Sequence, residues 1–582
     1  MNDFVAPSID WAAVSPVLIV LAAGVLGVLL EAFVPAKARR TTQLTLTLAA
    51  LAGSLVAVGL LWDRVQAGAV SVVGGSYLLT PFGLGVQAVI GVCALLGVLV
   101  VAERTTTGQD AFAPAAAAVP GTAYEDETRR AGLQQTEIYP LLLFSTGGML
   151  LFPATDDLIV MFVALEVLSL PLYVLCATAR RRRLLSQEAA FKYFVLGAFA
   201  SALFVFGIAL VYGFAGTVRL QGVVQVLADP ATSPLGSMTA LVVVGLVLVL
   251  SGLLFKIGAA PLHAWTPDVY QGAPTPITGF MAACTKAAAM GALVRVLFTL
   301  ANGLNAEVRH DVEVALWAVA ILTMLVGTVV GAVQTDVKRL LAYSAIAHAG
   351  FLLVGVVGMD EAGSRAVLFY LLAYGLASIG AFAVVTLVRE RTVSGDDDAV
   401  PAAGPVPDDG VVLGEATRLA QWAGLGRKAP WLTAAFSLFL LSMAGIPLTA
   451  GFVAKFGVFS AAVEAGAWPL ALLGVLASAV SVFFYVRVIV LMVLTPPSDR
   501  ERPGRGQAPA AGDDEPVGGV GGTATVTGAA TRTLVSRTVV TVVGSRGPAA
   551  FAIAVCAVGV LLLGILPAGA LDLAGQAAQF RP

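Results

Sequence analysis

The sequence is poor in charge. Only 12% of its 582 residues are Asp, Glu, Lys or Arg, and its mean hydropathy is +0.90. Soluble domains carry about 25% charged residues, so half of the usual polar surface is missing. This shortage excludes a soluble globular protein. The formal net charge of −2 also excludes the clustered basic surface that nucleic-acid binding requires.

Cysteine and nucleotide-binding motifs are also scarce. The four cysteines are far apart in apolar runs, which excludes a disulfide framework and the close spacing of zinc or iron–sulfur ligands. The glycine-rich stretch 518–528 lacks the Gly-Lys-Ser/Thr ending of a phosphate loop, and there is no dinucleotide fingerprint. The first ten residues contain two acids and no base, so we expect the first apolar segment to stay as a span rather than act as a signal peptide.

Long apolar runs dominate the chain. About 20 apolar residues cross a bilayer as a helix, and fourteen segments meet this description. They cover approximately residues 12–35, 42–62, 82–102, 138–153, 156–178, 188–215, 238–262, 275–301, 312–333, 337–357, 365–388, 431–464, 467–495 and 548–570. The sequence therefore predicts an all-α polytopic membrane protein with about fourteen transmembrane helices.

The distribution of Lys and Arg predicts the orientation. If both termini face outward, the inward loops contain 23 of the 34 basic residues and the outward segments contain five. This is the bias that the positive-inside rule describes. The three long inward stretches, 103–137, 392–414 and 498–530, are rich in acids, Ala, Pro or Gly, and we interpret them as solvated or disordered linkers.

Several titratable residues fall inside the predicted spans. They are Glu166, Lys192, Lys256, Lys286, Arg295, His348, Lys455 and Arg487. Each charge at the bilayer centre costs roughly 2.5–3.5 kcal/mol on insertion scales, so it requires a compensating role. Glu166, Lys286 and His348 lie near mid-membrane. Arg295 and Arg487 lie nearer helix ends, where they could snorkel, and for them we favour a structural role.

Two interpretations remain for the deep residues. They could be neutral, hydrogen-bonded groups that hold helices together, or they could form a proton relay. Burial disfavours a charged lysine and a nearby carboxylate favours it, and this balance allows proton exchange. For Lys192, an i,i+4 pair with Glu188 at the inner boundary is an equally good alternative.

Two apolar segments are too long for one crossing. The seventh is interrupted at Gly258 and Pro261, and the twelfth at Gly445, Pro447 and Gly451. Interrupted helices at matching positions of inverted repeats indicate a transport site. Helices 4–8 and 9–13 are therefore predicted to form two inverted five-helix repeats with helices 7 and 12 broken.

The predicted domain division follows from these repeats. It comprises an N-terminal three-helix segment (1–102), an inward loop (103–137), the first repeat (138–301), the second repeat (312–495, with an inward loop at 389–430), a low-complexity inward linker (496–547), and a C-terminal helix and tail (548–582).

Four long motifs carry a family resemblance. They are EAAFKYFVLGAFASALFVFGIALVYGFAGT (188–217), FKIGAAPLHAWTPDVYQGAPTPITGF (255–280), DVKRLLAYSAIAHAGFLLVG (336–355) and LSMAGIPLTAGFVAKFGVFSAAV (441–463). From about 138 to 495 the chain resembles subunit N of the bacterial proton-pumping NADH–quinone oxidoreductase, respiratory complex I. This resemblance implies the antiporter-like fold of fourteen helices. The three long inward loops exceed the family pattern, so no role is transferred to them.

The resemblance also implies a set of catalytic residues. Glu166 matches the glutamate that partners the seventh-helix lysine, Lys256, and Lys192 matches the sixth-helix lysine that modulates it. The central and terminal positions are matched by Lys286, His348 and Lys455. His263 lies in the broken helix with an open role, and His310 is expected to be solvated in an outer loop.

Membership of this family would define partners and location. The chain would translocate protons in a bacterial plasma membrane, together with other membrane and peripheral subunits that hold flavin, iron–sulfur clusters, NADH and quinone. It would contain no cofactor, metal or redox centre and bind no nucleic acid. The alternatives are a subunit of a multi-subunit sodium/proton antiporter, or the sister pump subunit M. Lys455 favours N over M.

Overall fold

A computed structural model describes residues 9–104, 108–114, 122–130, 135–234, 238–394, 412–496, 536–543 and 547–579. Most of these residues are helical. The first half contains α1 (Trp11–Phe33), α2 (Ala36–Gln66), α3 (Pro81–Val101), α4 (Ala123–Arg130), α5 (Ile138–Leu151), α6 (Leu158–Cys176), α7 (Arg183–Ala215), α8 (Leu220–Ala228), α9 (Thr239–Ile257), α10 (Trp265–Gly272), α11 (Thr275–Phe280) and α12 (Lys286–Ala301).

The second half continues in the same way. It contains α13 (Ala306–Ala332), α14 (Val337–Val356), α15 (Glu361–Leu387), α16 (Leu425–Lys428), α17 (Pro430–Ala444), α18 (Ala450–Glu464), α19 (Trp468–Val493), α20 (Pro548–Ile565) and α21 (Ala568–Ala577). A π-helical turn, Met281–Thr285, joins α11 to α12, so that Thr275–Ala301 runs as one continuous span.

Within the described residues, twelve helices are long and apolar enough to cross a membrane, and two shorter apolar helices are Ile138–Ala154 and Pro430–Ala444. Each of the fourteen predicted segments coincides with helix. The multi-pass membrane fold is therefore confirmed, whereas the count of fourteen spans stays a prediction.

The two predicted interruptions are confirmed, and they have the same local structure. α9 ends at Gly258 (φ +81°) and α17 at Gly445 (φ +84°), left-handed conformations that favour glycine. In each case the glycine N–H donates to the carbonyls four and three residues earlier, and the next N–H donates to the first of these. The chain then re-enters helix at Trp265 and at Ala450.

Three spans form the buried centre of the bundle. Almost the whole apolar window of Thr275–Ala301, α14 and α15 is buried, whereas only 28% of the window of α19 is buried. Small residues in α12 and α14 allow this close approach, including Ala287, Ala288, Ala345 and Ala349, all buried. Polar side chains on these central helices therefore lie far from the outer surface of the bundle.

The bundle has two distinct ends. Asp10, Arg64 and Gln66 lie at one end, where Arg64 pairs with Asp10 at 2.5 Å and Gln66 donates to the Gln576 carbonyl. The other end contains Arg180–Arg183, Lys338, Arg339 and Arg389, and we call it the basic face. The two ends of the described chain therefore meet at the same end of the bundle, opposite the basic face.

Two small sheets accompany the helices. β1 (Val70–Val72) and β2 (Tyr77–Leu79) pair antiparallel. At the basic face, β3 (Val388–Ser394) lies between β4 (Val412–Glu415) and β5 (Ser536–Val542), with Arg389 opposite Glu415 and Thr541. β3 continues directly from α15, so the sheet is anchored to a central helix.

The described parts of two long inward stretches correct the interpretation of those parts as solvated linkers. In 103–137 the structure contains α4, whose Glu125 is buried and pairs with Arg180 at 2.5 Å. In 392–414 it contains the end of β3 and most of β4. Amino-acid composition could not predict this structure, because it depends on ion pairs and strand pairing between segments that are distant in the sequence. The predicted linker 498–530, including its glycine-rich stretch, lies outside the described residues.

Two further expectations need correction. Arg295 does not snorkel: it is buried, and its guanidinium pairs with Asp156 at 3.2 Å and donates to the Thr155 carbonyl at 2.9 Å. Burial raises the pKa of Asp156 although Arg295 opposes this effect. His310 is exposed as expected, but it lies in the first turns of α13 rather than in a loop.

Candidate functional site

Glu166 lies midway along α6 and is partly buried. Its carboxylate accepts a hydrogen bond from the Ser201 hydroxyl of α7. Ser169, three residues later on α6, accepts a hydrogen bond from Lys256. The carboxylate therefore lies within one helical turn of a residue that contacts the lysine, although among the described residues the two groups form no ion pair within 4.0 Å.

Lys256 is in the last turn of α9, beside the first interruption, and is buried. Its ammonium group donates to the Ser169 hydroxyl at 2.8 Å and the Tyr193 hydroxyl at 2.9 Å. The Tyr193 ring centroid lies 5.0 Å from Nζ. A helix C-terminus has partial negative charge, so the position of Lys256 favours the charged ammonium form. Trp265 stacks on Tyr193 and donates to the Phe255 carbonyl, closing the interruption.

Lys192 lies nearer the basic face, where 39% of its side chain is exposed. It pairs with Glu188 at 2.6 Å, the i,i+4 contact that the sequence offered as an alternative, and with Asp268 of α10 at 2.7 Å. Asp268 also pairs with Arg339 of α14 at 2.7 Å. Lys192 therefore belongs to a chain of charges that links α7, α10 and α14.

Lys286 follows the π-helical turn at the start of α12 and is buried. Its ammonium group donates to the Ala345 carbonyl of α14 and lies 5.3 Å from the Tyr374 ring centroid of α15. Single π-turns inside α-helices are frequent at functional sites. This turn brings the amine to the junction of the three central helices.

His348 occupies the middle of α14, three residues after the carbonyl that Lys286 contacts. Its Nδ1 is 2.7 Å from the Tyr370 hydroxyl, and its Nε2 is 3.3 Å from the Tyr485 hydroxyl, which also contacts the Ser344 hydroxyl. The Tyr374 ring lies 4.8 Å from the imidazole and so contacts both His348 and Lys286.

Lys455 is buried on α18, after the second interruption. Its ammonium group donates to the Ala444 carbonyl at 3.0 Å and to the Ser478 hydroxyl at 2.7 Å. Ala444 is the last residue of α17, so this amine also lies at the negative end of a half-helix. The Phe351 ring lies 4.8 Å from the amine and 5.8 Å from the imidazole of His348.

A small cavity extends from His348 toward the second interruption. Its volume is about 10 Å³, close to the minimum of roughly 10–15 Å³ that holds one water. Tyr370 and Tyr374 line it beside His348, and Ser442 and Ala454 line it from the interrupted helix. Ala454 precedes Lys455, so the cavity lies between the histidine and the terminal lysine.

The predicted residues therefore form three groups. Lys286, His348 and Lys455 are joined through shared aromatic and backbone contacts. Lys256 and Glu166 lie together around the first interruption, and no hydrogen bond or ion pair in the described part of the chain connects Lys256 to Lys286. Lys192 is separate, at the basic face.

Sequence reasoning missed the polar residues that contact these groups. They are Ser169, Tyr193, Ser201, Asp268, Ser344, Tyr370, Tyr374, Ser478 and Tyr485. Two could have been found by helical spacing, because Ser169 is three residues after Glu166 and Ser344 is four before His348. His263 lies in the first interruption, partly buried. The described residues contain no group of three or more His, Cys, Asp or Glu suited to a metal ion.

A bundle of apolar helices with two interrupted members and buried amines at the interruptions defines a polytopic membrane protein of the transporter class. A family model described as NADH:quinone oxidoreductase/Mrp antiporter, TM, matches residues 155–481. NADH-quinone oxidoreductase subunit N of Beutenbergia cavernae is 53% identical over 586 residues, covering 99% of both chains. The chain belongs to the NADH:quinone oxidoreductase/Mrp antiporter family and, within it, to the subunit N family.

Two solved structures share the fold. A chain of respiratory complex I from Thermus thermophilus has a TM-score of 0.68 and 30% identity, with 96% of this chain and 99% of that chain covered. A chain of the Mrp complex from a Dietzia species has a TM-score of 0.71 at 22% identity, with 97% of each chain covered. At that identity the second likeness indicates the fold alone.

Proposed function

We propose that this chain is a proton-translocating membrane subunit of a NADH–quinone oxidoreductase. The observation that carries the proposal is a series of contacts inside this subunit N family member. Tyr374 contacts both Lys286 and His348, and Phe351 contacts both His348 and Lys455. The complex I membership of its relatives supports partner subunits that hold NADH, flavin, iron–sulfur clusters and quinone. This chain would then belong to an oxidoreductase by assembly, without a redox centre of its own.

In this proposal the catalytic residues are Glu166, Lys192, Lys256, Lys286, His348 and Lys455. Electron transfer in partner subunits changes the field that Glu166 imposes on Lys256. A proton then moves along Lys286 and His348 towards Lys455 and leaves on the outer side. Moving one charge against 100 mV costs about 2.3 kcal/mol. A change of one charge interaction in a low-dielectric interior supplies energy of this order.

The proposed location is a bacterial plasma membrane, with both termini outside and the basic face in the cytoplasm. Single cysteines test this orientation, because the four native cysteines are buried. Ala231→Cys and Lys428→Cys lie on exposed positions at opposite ends of the bundle. An impermeant maleimide added to intact cells should label Ala231→Cys alone, and labelling of Lys428→Cys instead would reverse the orientation.

Lys256→Ala tests the relay. We expect the complex to assemble and oxidise NADH, with reduced proton uptake per NADH in inverted membrane vesicles. Lys428→Ala, which removes an exposed lysine at the basic face, is the matched control and should pump normally. Normal pumping by the assembled Lys256→Ala complex would refute the role of Lys256, whereas failed assembly would indicate a structural role.

A pulldown of the native complex separates the proposal from its alternative. Flavin and iron–sulfur subunits should co-purify with the chain. Recovery without them, together with sodium-dependent proton exchange in vesicles, would favour a sodium/proton antiporter subunit.

A further inference from the structure

A cavity of about 850 Å³ opens at the basic face, away from the relay. Its volume lies within the roughly 300–1,000 Å³ typical of ligand sites. Five separate parts of the chain line it: the segment before α7, the end of α10, the loop between α13 and α14, the turn before α16, and the last turns of α19 with the residues that follow. The lining residues that matter for charge are Arg182, Arg418, Arg487 and Asp336.

The cavity has an excess of positive charge. Its three arginines face one carboxylate, and the Asp336 carboxylate already accepts the backbone N–H groups of Lys338 and Arg339 at the start of α14. Within the described residues, none of the three arginines forms an ion pair with a carboxylate within 4.0 Å. Arg487 donates to the carbonyls of Ala332 and Gln334, which fixes its guanidinium without neutralising it.

Arg182 is also held in place. It donates to the Thr417 hydroxyl at 2.8 Å, and Thr417 is adjacent to Arg418 in the chain. The two exposed arginines are therefore brought to one wall of the cavity, and Arg487 comes from α19. Arginine is suited to phosphate binding, because its planar guanidinium group can donate two parallel hydrogen bonds to the phosphate oxygens. Thr335, a residue with a neutral hydroxyl, also lines the cavity.

The surroundings of the cavity match a lipid. Val488, Val490 and Leu491 of α19 line it, and α19 continues from there as one of the least buried spans. Val486, Val490 and Val493 are between 39% and 48% exposed, and Leu494 is 70% exposed. A basic pocket between helices beside an exposed apolar helix provides both the headgroup site and the surface for acyl chains.

We propose that this cavity binds a phosphate-bearing anion, supplied as the headgroup of an anionic phospholipid whose acyl chains lie along α19. The inference goes beyond the proposed function, because it concerns lipid recognition at the basic face and does not depend on proton transfer. The shared chemistry is phosphate, so the test must separate a lipid headgroup from free phosphate.

The experiment uses the intact purified complex and a photoactivatable phosphatidylglycerol with its reactive group near the headgroup. After irradiation, labelled peptides of this chain are identified by mass spectrometry. We expect labelling in 418–422 and 486–495, displaced by unlabelled phosphatidylglycerol but not by phosphatidylcholine or by millimolar inorganic phosphate. Displacement by inorganic phosphate alone would identify a free-anion site and overturn the lipid assignment.

The variant pair is Arg182→Gln/Arg418→Gln against Arg427→Gln. Arg427 is an exposed arginine of α16 on the same face that does not line the cavity. Each basic residue near an anionic headgroup contributes about fivefold in affinity, so the double variant should bind roughly 25-fold more weakly. Arg427→Gln should bind as the parent does.

The double variant keeps Arg487, which holds the end of α13, so its fold and assembly should persist. Its proton uptake provides a separate readout: weaker lipid labelling with normal proton uptake would support the lipid site independently of the proposed function. Labelling of the assembled double variant at parental level, or equal displacement by phosphatidylcholine, would overturn the proposal.

Discussion

Gly445→Ala is the sharpest test of whether the position of the Lys455 amine matters. Gly445 ends α17 in the left-handed conformation, and a Cβ added there would lie 2.8 Å from Cδ of Lys455. Gly466 offers a matched control. It has nearly the same φ, +81° against +84°, and a Cβ added there meets nothing within 4 Å.

The backbone strain is common to both variants. A non-glycine residue in the left-handed region costs roughly 1–2 kcal/mol, so both should lower stability by a similar amount. Only Gly445→Ala also displaces Lys455. Carbon atoms settle about 3.5–4.0 Å apart, so Cδ must move by roughly 1 Å. Because the lysine side chain is flexible, the extra effect should appear in the amine contacts with Ala444 and Ser478 rather than in stability.

The assay measures two quantities on the assembled complexes. Thermal inactivation compares stability, and acidification of inverted vesicles compares protons taken up per NADH oxidised. A displacement of about 1 Å in a reacting geometry can cost 100-fold in rate. We therefore expect Gly445→Ala to lose most of the proton uptake assigned to this subunit, while Gly466→Ala retains it. Equal proton uptake by the two variants would refute the reasoning.

Two further predictions concern buried polar contacts. Arg295→Leu should lower the free energy of unfolding by about 3–5 kcal/mol, because the Asp156 carboxylate is left buried without its cation. Adding Asp156→Leu to the same chain should restore most of the lost stability, as measured in thermal melts. No recovery in the double variant would contradict the argument that the pair stabilises the fold. Tyr485→Phe should reduce proton uptake per NADH because His348 loses the hydroxyl at its Nε2. The control is Tyr343→Phe, because the Tyr343 hydroxyl has no hydrogen-bond partner in the described part of the chain, and this variant should keep normal proton uptake. An equal reduction in both variants would exclude a role for the contact between Tyr485 and His348.

The sequence predicted the features whose energetic signal is large and local. Apolar runs of membrane length identified the spans, and the breakers Gly258 and Gly445 identified the interrupted helices, because glycine in the left-handed region ends a helix wherever it stands. Charges such as Lys286 were conspicuous because each carries a large insertion cost. These signals depend on a few neighbouring residues, so they survive without knowledge of the tertiary contacts.

Contacts between distant segments could not be predicted in this way. The hydroxyls of Tyr193 and Tyr485 cost little inside a membrane, so nothing in the sequence distinguished them from other buried aromatics. The sheet at the basic face pairs β3 with β5, and more than 140 residues separate these strands. Among the described residues Glu166 and Lys256 form no ion pair within 4.0 Å; instead Ser201 donates to the Glu166 carboxylate, and Lys256 donates to the Tyr193 hydroxyl.

The contacts of the buried amines bear on how the proposed relay could work. Lys256, Lys286 and Lys455 contact hydroxyls, backbone carbonyls and aromatic rings, and in the described residues none contacts a carboxylate within 4.0 Å. A direct ion pair would hold the proton strongly and leave an unpaired buried charge whenever the proton moved on, at a cost of several kcal/mol. Hydroxyl and carbonyl groups accept a hydrogen bond from the charged amine, and less stabilising free energy is lost when that amine becomes neutral. Because Lys256 and Lys455 each lie at the negative end of a half-helix, the interrupted backbone itself stabilises the cation. In the proposed relay, the interrupted helices would therefore make the charged and neutral forms of these amines closer in free energy than direct pairing with acids would.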